Sequence, residues 1–397
     1  MTAPRTAEVV VVGGGSTGAS IAYHLARRGV RGVVLLEQGF VASGATGRSS
    51  AIVRQHYAYP VTARMARLAL GVFERFDEVI GGESGFTRTG YLALVGPGDE
   101  EALAANVAMN VGVGVSSRVV RPAEIRALVP DMAVDDLAAA AYEPDAGYAD
   151  PAGTTTALAR RARELGARLV EGVRVRRIVV ERGAVAGVET GDGRVSAPVV
   201  VTAAGGWTPR LLAPVGVDVP IVNTLHRIGV FERPAGFPTH PVCGDFVNQV
   251  YFRSEQGGLT LVGSTKHTGD DVVDPDACPD RPEPEWLEEF ADRGMARFPR
   301  LEAGRSRGGW AGFYDTTPDF QFVLDRAPGV DGLFVAAGFS GHGFKHSPIL
   351  GDLVADLVLG TRPADPHLDL GFFALSRFAA GRPHQPRHRY SKVLLGR

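Results

Sequence analysis

Glu8-Val-Val-Val-Val-Gly-Gly-Gly-Ser-Thr-Gly18, continued by Ala19-Ser-Ile-Ala-Tyr-His-Leu-Ala-Arg-Arg-Gly29 and closed by Val33-Val-Leu-Leu-Glu37, decides the fold. The β-branched run Val9 to Val12 predicts a buried strand, and the spacing of Ile21, Leu25 and Val30 predicts a helix after it. Between them lies G-x-G-x-x-G. Gly13 permits the tight turn, Gly15 lets backbone approach a pyrophosphate, and Gly18 lets the helix pack close to the strand. A phosphate would rest on the free N–H groups at the positive end of that helix. Glu37, nineteen residues beyond Gly18 and after a second strand, would accept the ribose hydroxyls and repel a 2′-phosphate. The stretch therefore predicts dinucleotide binding, disfavours NADP and leaves the dinucleotide unnamed.

Working outward, 397 residues with 45% hydrophobic side chains suffice for two domains or one large α/β unit. The net charge of −2 argues against nucleic-acid binding or bulk attraction to a membrane surface. No twenty-residue apolar span is present, and the first strand begins too early for a signal peptide; a cytoplasmic protein is expected. Cys243 and Cys278 are expected as reduced thiols, and two cysteines alone make no metal site. Of the 42 Lys and Arg residues only Lys266, Lys345 and Lys392 are lysine, which draws attention to the first two.

The segment Gly39 to Ser50, dense in small residues, reads as a second cofactor segment. An amphipathic helix is expected from about Val61 to Ile80, with Met65, Leu68, Val72, Phe73 and Phe76 on its apolar side. Strands follow from Phe86, a short helix lies between Pro122 and Pro130, and the turn-rich Tyr142 to Pro151 crosses back toward the first domain. A helix from Thr154 to Leu165 precedes alternating strands and turns, ending in the apolar strand Val199 to Ala204 and Gly205-Gly206-Trp207. Residues 221–313 favour strands with one helix near Glu285 to Phe298. A last buried strand, Asp331 to Gly338, feeds Phe339-Ser-Gly-His-Gly-Phe-Lys345 and a helix to about Leu359. The tail from Arg382 reads as a mobile or docking terminus.

The fingerprint with Glu37, the segment Gly44-Ala-Thr-Gly-Arg-Ser-Ser50 and the motif Gly338 to Lys345, with Tyr314-Asp-Thr-Thr-Pro-Asp319 upstream, together resemble the FAD-dependent amine oxidoreductases of the D-amino-acid oxidase superfamily, in particular its sarcosine and glycine oxidase branch. The resemblance implies an α/β fold: a Rossmann-like FAD-binding domain (residues 1–82, 145–220 and 318–381) interrupted by a smaller α+β substrate domain (83–144 and 221–317) with a mixed, mostly antiparallel sheet, then a tail, 382–397. It implies FAD held by Gly13, Gly15, Ser16, Thr17, Gly18, Glu37 and Gln38. Ser43, Gly44, Ala45, Thr46, Arg48, Ser49 and Ser50 form a second set, and Ala204, Gly205 and Trp207 a third. Val175, on the first strand after the Thr154 helix, would bond adenine through its backbone. Gly338, Ser340, Gly341, His342, Gly343, Phe344 and Lys345 would bring a helix N-terminus to the flavin pyrimidine, stabilising the anionic reduced ring.

Arg54 matches the family's arginine that grips the substrate carboxylate, and Lys345 the lysine that assists it. An arginine fork orients the substrate α-carbon over the flavin. His56 and Tyr57 complete the catalytic candidates; His342 and His346 read equally well as structural histidines. The implied reaction is hydride transfer from a neutral amine to flavin N5, then imine hydrolysis. Tyr251, Arg253 and Phe313 are expected to shape the pocket.

Departures from the family pattern sharpen the expectations. Gly312 stands where some relatives carry a flavin-linking cysteine, and no histidine occurs in the Gly44 to Ser50 segment, so FAD is expected to be noncovalent. Thr260 in Gly258-Leu-Thr260 stands where monomeric sarcosine oxidases carry an oxygen-activating lysine, and Lys266 is too far along an extended strand to replace it. Oxygen and a quinone or protein acceptor both stay open. So do sarcosine, glycine, proline-like and D-amino-acid substrates, a 2-hydroxy-acid dehydrogenase on the same scaffold, an electron-relay subunit of a hetero-oligomer, a homo-oligomer and, least favoured, an NAD-dependent dehydrogenase.

Overall fold

The computed structural model describes residues 3–266 and 271–392. Val9–Val12 is the centre of a six-stranded sheet ordered Val323–Arg326, Leu333–Ala337, Val199–Thr202, Val9–Val12, Val33–Leu36, Arg168–Val170; all pairings are parallel except the antiparallel edge strand Val323–Arg326. Val9 and Val11 face a core shared with the helices Ser16–Arg27, Pro151–Glu164 and Gly343–Leu359, whereas Val10 and Val12 face a second core toward the antiparallel sheet of Val175–Glu181, Ala184–Thr190 and Gly193–Val195. A strand covered on both faces must be apolar at every position, which explains the unbroken valines.

Two long helices bring their N-termini to one cleft because they pack closely. A Cβ at Gly351 would lie 2.2 Å from Ser20 Oγ, so only glycine fits the crossing. Arg28 clamps the far ends by donating to Asp352 at 2.7 Å and Asp356 at 2.8 Å.

The second large sheet has eight strands, ordered Arg305–Thr316, Val222–Glu232, Leu259–Ser264, Val250–Glu255, Val242–Asp245, Tyr91–Val95, Ala139–Glu143, Arg118–Val120. Only the pairing of Val242–Asp245 with Tyr91–Val95 is parallel. This is the mixed, mostly antiparallel sheet expected. One face packs on the helix Pro284–Arg297, where Arg297 is fully buried between Asp136 and Asp245. The other face looks toward the cofactor cleft.

Three expectations need correction. The helix predicted over 61–80 breaks at Arg75 into Pro60–Glu74 and Phe76–Val79. The helix Glu100–Gly112 was not foreseen: Asn106 and Asn110 are buried on its inner face and interrupt the apolar stripe. Val175 opens the second strand after the Pro151–Glu164 helix, because Arg168–Val170 comes first as the edge of the parallel sheet. Among the described residues no helix is long and apolar enough to cross a membrane, and no cluster of His, Cys, Asp or Glu could hold a metal ion. Both cysteines are free thiols.

Candidate active site

A cleft of about 720 Å³ runs from the first βα turn to the start of the last long helix. Gly13, with φ of +108°, makes the turn, and a Cβ there would lie 2.4 Å from the Ala203 carbonyl oxygen. A Cβ at Gly18 would lie 1.9 Å from the Gly13 carbonyl oxygen, so that glycine stands behind the cleft wall and lets the helix approach. Glu37 is held by the Gly14 N–H at 2.6 Å and the Gly39 N–H at 2.7 Å. A carboxylate fixed by two amides at the end of the second strand is pre-oriented to accept further donors.

Gly13, Gly15, Ser16, Thr17, Glu37, Gln38, Ser43, Gly44, Ala45, Thr46, Arg48, Ser49, Val175, Ala204, Gly205, Trp207, Gly341, Gly343 and Phe344 all line this cleft. Gly338 and Ser340 do not; they form the layer beneath. Gly338 N–H donates to Asp315 Oδ2 at 2.9 Å and Ser340 N–H to the Asp315 carbonyl at 3.1 Å, which sets the turn into the helix Gly343–Leu359. Burial pushes the Asp315 carboxyl up to about 6 against those amides. Over the cleft lies segment 274–280, where Asp276 accepts from Trp207 Nε1, Arg174 and Arg210, each at 2.8 Å, and Asp280 accepts from Arg48 at 2.7 Å.

A smaller cavity of about 90 Å³ adjoins it and shares Ser49, Tyr314, Gly341 and Phe344. Ser50, Ile52, Arg54, Tyr91, Phe246, Tyr251, His342 and Lys345 are among its walls. The structure thus brings Arg54 and Lys345, 291 positions apart, to one cavity. The Arg54 guanidinium lies 4.5 Å from the Tyr57 ring centre and 5.8 Å from that of Tyr91, and it donates to the His56 carbonyl. No carboxylate among the described residues comes within 4.0 Å of it. A partly buried guanidinium at a cavity wall without a carboxylate partner is suited to receive one from a ligand.

His56 and Tyr57 are fully buried but do not line the cavity. Tyr57 is the platform beneath Arg54, and the His56 ring turns away to the Tyr390 hydroxyl at 2.8 Å. Burial, reinforced by Arg54, lowers His56 to about 3, so its ring is neutral. His342 directs Nε2 to the Phe320 carbonyl at 2.9 Å, and His346 sits between two carbonyls, with Nδ1 2.9 Å from that of His342 and Nε2 3.3 Å from that of Thr62, one of which takes its single N–H. His346, lowered to about 3 by burial and then by Lys345, is a structural histidine in its contacts. Arg253 stays outside the cavity, donating to the Ser50 carbonyl beneath the Tyr148 ring, and Phe313 faces Trp207 in the large cleft.

Two residues of this site carried no signal in the sequence reading. His226 places Nε2 3.0 Å from the Tyr251 hydroxyl and stacks on Tyr314 with ring centres 4.2 Å apart. Burial, then the neighbouring Tyr314, holds Tyr251 well above its ordinary value, so the phenol keeps its proton. Glu143, behind Arg54, accepts the Gln55 N–H at 2.8 Å and is pushed up to about 7 by burial, against the pull of that amide and Arg54. Neither Ala139–Glu143 nor Val222–Glu232 alternates cleanly, so the sequence does not say which of their side chains meets the cavity.

Thr260 does not face the cavity. Tyr251 pairs with Gly263, so Thr260 falls on the opposite face, its hydroxyl 3.2 Å from His240 Nε2. Lys266 lies 4.0 Å from Glu289 beside a minor cavity of about 30 Å³ bordered by His226, Asp271 and Tyr314.

Residues 8–357 match the model of a family described as FAD dependent oxidoreductase, DAO. Human mitochondrial sarcosine dehydrogenase is 31% identical over 395 residues, covering 97% of this chain and 43% of that protein. The chain spans less than half the length of the curated relatives it first matches. Sarcosine oxidase subunit beta of an Arthrobacter species is 26% identical, covering 95% of this chain and 92% of that one. The crystal structure of L-proline dehydrogenase from P. horikoshii superposes with a TM-score of 0.88 at 28% identity, covering 96% of this chain and all of the other.

Proposed function

Because the chain belongs to the DAO family of FAD-dependent oxidoreductases, we propose that it oxidises the C–N bond of a small amino acid or N-alkyl amino acid. The carrying observation is the small cavity with Arg54 and Lys345 in its wall, opening onto the large cleft through Tyr314, Gly341 and Phe344. FAD, when bound, supplies the acceptor for a hydride from the substrate. The chain's own groups do the rest. Arg54 and Lys345 hold the carboxylate, and the aromatic walls Tyr91, Phe246 and Tyr251 exclude water from the amine. The Tyr251 hydroxyl, hydrogen-bonded to His226 Nε2, takes the proton the substrate ammonium must lose as its own passes to the imidazole.

The cleft suits FAD in its donor set: a glycine turn at a helix N-terminus for pyrophosphate, Glu37 for ribose, and backbone N–H groups at Gly341 and Gly343 for the flavin ring. We take it as held without a covalent bond. Gly312 has no side chain to offer, and the Arg48 stem fills the space 3.1 Å from where a Cβ would stand. On this reading residues 1–82, 145–220 and 318–381 bind FAD, and 83–144 with 221–317 form the substrate half. The relative named as a subunit supports assembly with a partner chain.

The test is anaerobic titration of the FAD-loaded protein with primary, secondary and tertiary amino acids and 2-hydroxy acids, followed by air. Bleaching of the flavin by an amino acid is expected, and the rate of recolouring separates oxidase from dehydrogenase. Arg54→Ala should keep its FAD and lose roughly 2–3 kcal/mol of carboxylate binding. Bleaching by a 2-hydroxy acid alone sinks the amine reading.

A further inference from the structure

We propose that the C-terminal segment, through Tyr390, positions the substrate-binding arginine: Tyr390 fixes His56, and His56 fixes Arg54. This rests on the reading of Arg54 as the carboxylate anchor.

The segment is docked at several points. Ser391 donates from its N–H and its hydroxyl to Asp99, both at 2.9 Å. Asn106 donates to the His388 carbonyl at 3.1 Å and Gln249 to the Lys392 carbonyl at 3.0 Å. Tyr390 is thereby buried, its ring 5.2 Å from that of Phe246, a wall residue of the small cavity. Its hydroxyl meets His56 Nε2 at 2.8 Å across 334 positions of sequence.

His56 is fully buried, and Tyr390 is the partner of its Nε2, while Nδ1 has none among the described residues. Removing the Tyr390 hydroxyl leaves an uncompensated polar ring in the interior, which favours its reorientation. The His56 carbonyl accepts from Arg54 Nη1, so a shift of that residue is transmitted to the guanidinium. In a chain that lacks Tyr390 altogether, Phe246 also loses its ring neighbour, which slackens the same wall. Misplacement of an anchoring group by a fraction of an ångström is enough to weaken binding measurably.

The experiment uses full-length, FAD-loaded protein and propionate as the carboxylate probe, titrated through its perturbation of the flavin spectrum. Tyr390→Phe, Arg54→Ala, their combination and a chain lacking residues 382–397 are compared, with flavin content measured for each. Tyr390→Phe should weaken propionate about fivefold at full flavin content, the shortened chain should weaken it at least as much, and the double variant should be no weaker than Arg54→Ala alone. That absence of additivity is what a purely structural tyrosine would not produce. Wild-type affinity in Tyr390→Phe, additive losses in the double variant, or loss of flavin in step with loss of propionate each overturn the proposal. Wild-type affinity in Arg54→Ala instead removes the reading of Arg54 on which it stands.

Discussion

Replacing Glu143 by Gln should flatten the pH dependence of both stability and carboxylate binding. Glu143 is fully buried at the end of Ala139–Glu143, with one oxygen on the Gln55 N–H and the other without a partner among the described residues. Burial raises it from 4.5 to about 7 in the folded protein. Between those two values the native state holds a proton that the unfolded chain has released, so stability falls as pH rises through this window and levels off above it. At about 1.4 kcal/mol per unit the loss amounts to roughly 3 kcal/mol. Glutamine copies the protonated carboxyl, keeps an oxygen for Gln55 and does not titrate. Urea unfolding of both proteins from pH 4.5 to 8.5 should therefore show the difference moving by that amount in favour of Glu143→Gln. Asp315, raised to about 6 by burial, is common to both and cancels. Propionate affinity should likewise fall with pH in the wild type, as ionised Glu143 offsets the field of Arg54, and stay level in the variant. A stability difference that does not change across the window would refute the reasoning, because it would mean that the carboxylate ionises at no cost in its buried position.

Asp276→Ala should release FAD about tenfold faster, measured by flavin fluorescence on dilution, since it removes the acceptor shared by Trp207, Arg174 and Arg210; a wild-type rate would deny the segment any hold on the cleft. Gly18→Ala, whose Cβ would lie 1.9 Å from the Gly13 oxygen, should abolish FAD uptake and lower the thermal midpoint. Tyr251→Phe should cut turnover of an amino acid by about two orders of magnitude and shift the pH profile, with propionate binding little changed, if its hydroxyl moves the substrate proton. Heat or acid denaturation should leave all flavin in the supernatant; colour retained on the chain would mean a covalent bond from a residue other than Gly312.

The cofactor half was legible because its determinants are local. A valine strand, a glycine turn and the helix after it lie within 30 residues; Gly13 is required by its own positive φ, and Gly18 answers a close approach to Gly13 inside that unit. The resemblance set Arg54 and Lys345 at one carboxylate, and the fold brings both to the wall of one cavity. The helix Glu100–Gly112 escaped because its buried Asn106 and Asn110 donate to the His388 and Tyr57 carbonyls respectively, contacts that exist only once those segments have docked.

The sequence alone determined the dinucleotide turn and the acid that follows it, since these depend on spacing along the backbone, whereas Arg54 and Lys345 were singled out by the resemblance to a family. Only the tertiary structure decided the chemistry around them. It turned Thr260 away from the cavity, set His226 against Tyr251, buried Glu143 behind Arg54 and brought Tyr390 to His56. Those pairings depend on which strand face meets the cleft and on which distant segments close over it. Both are settled by packing between elements far apart in the chain, where local periodicity carries no information.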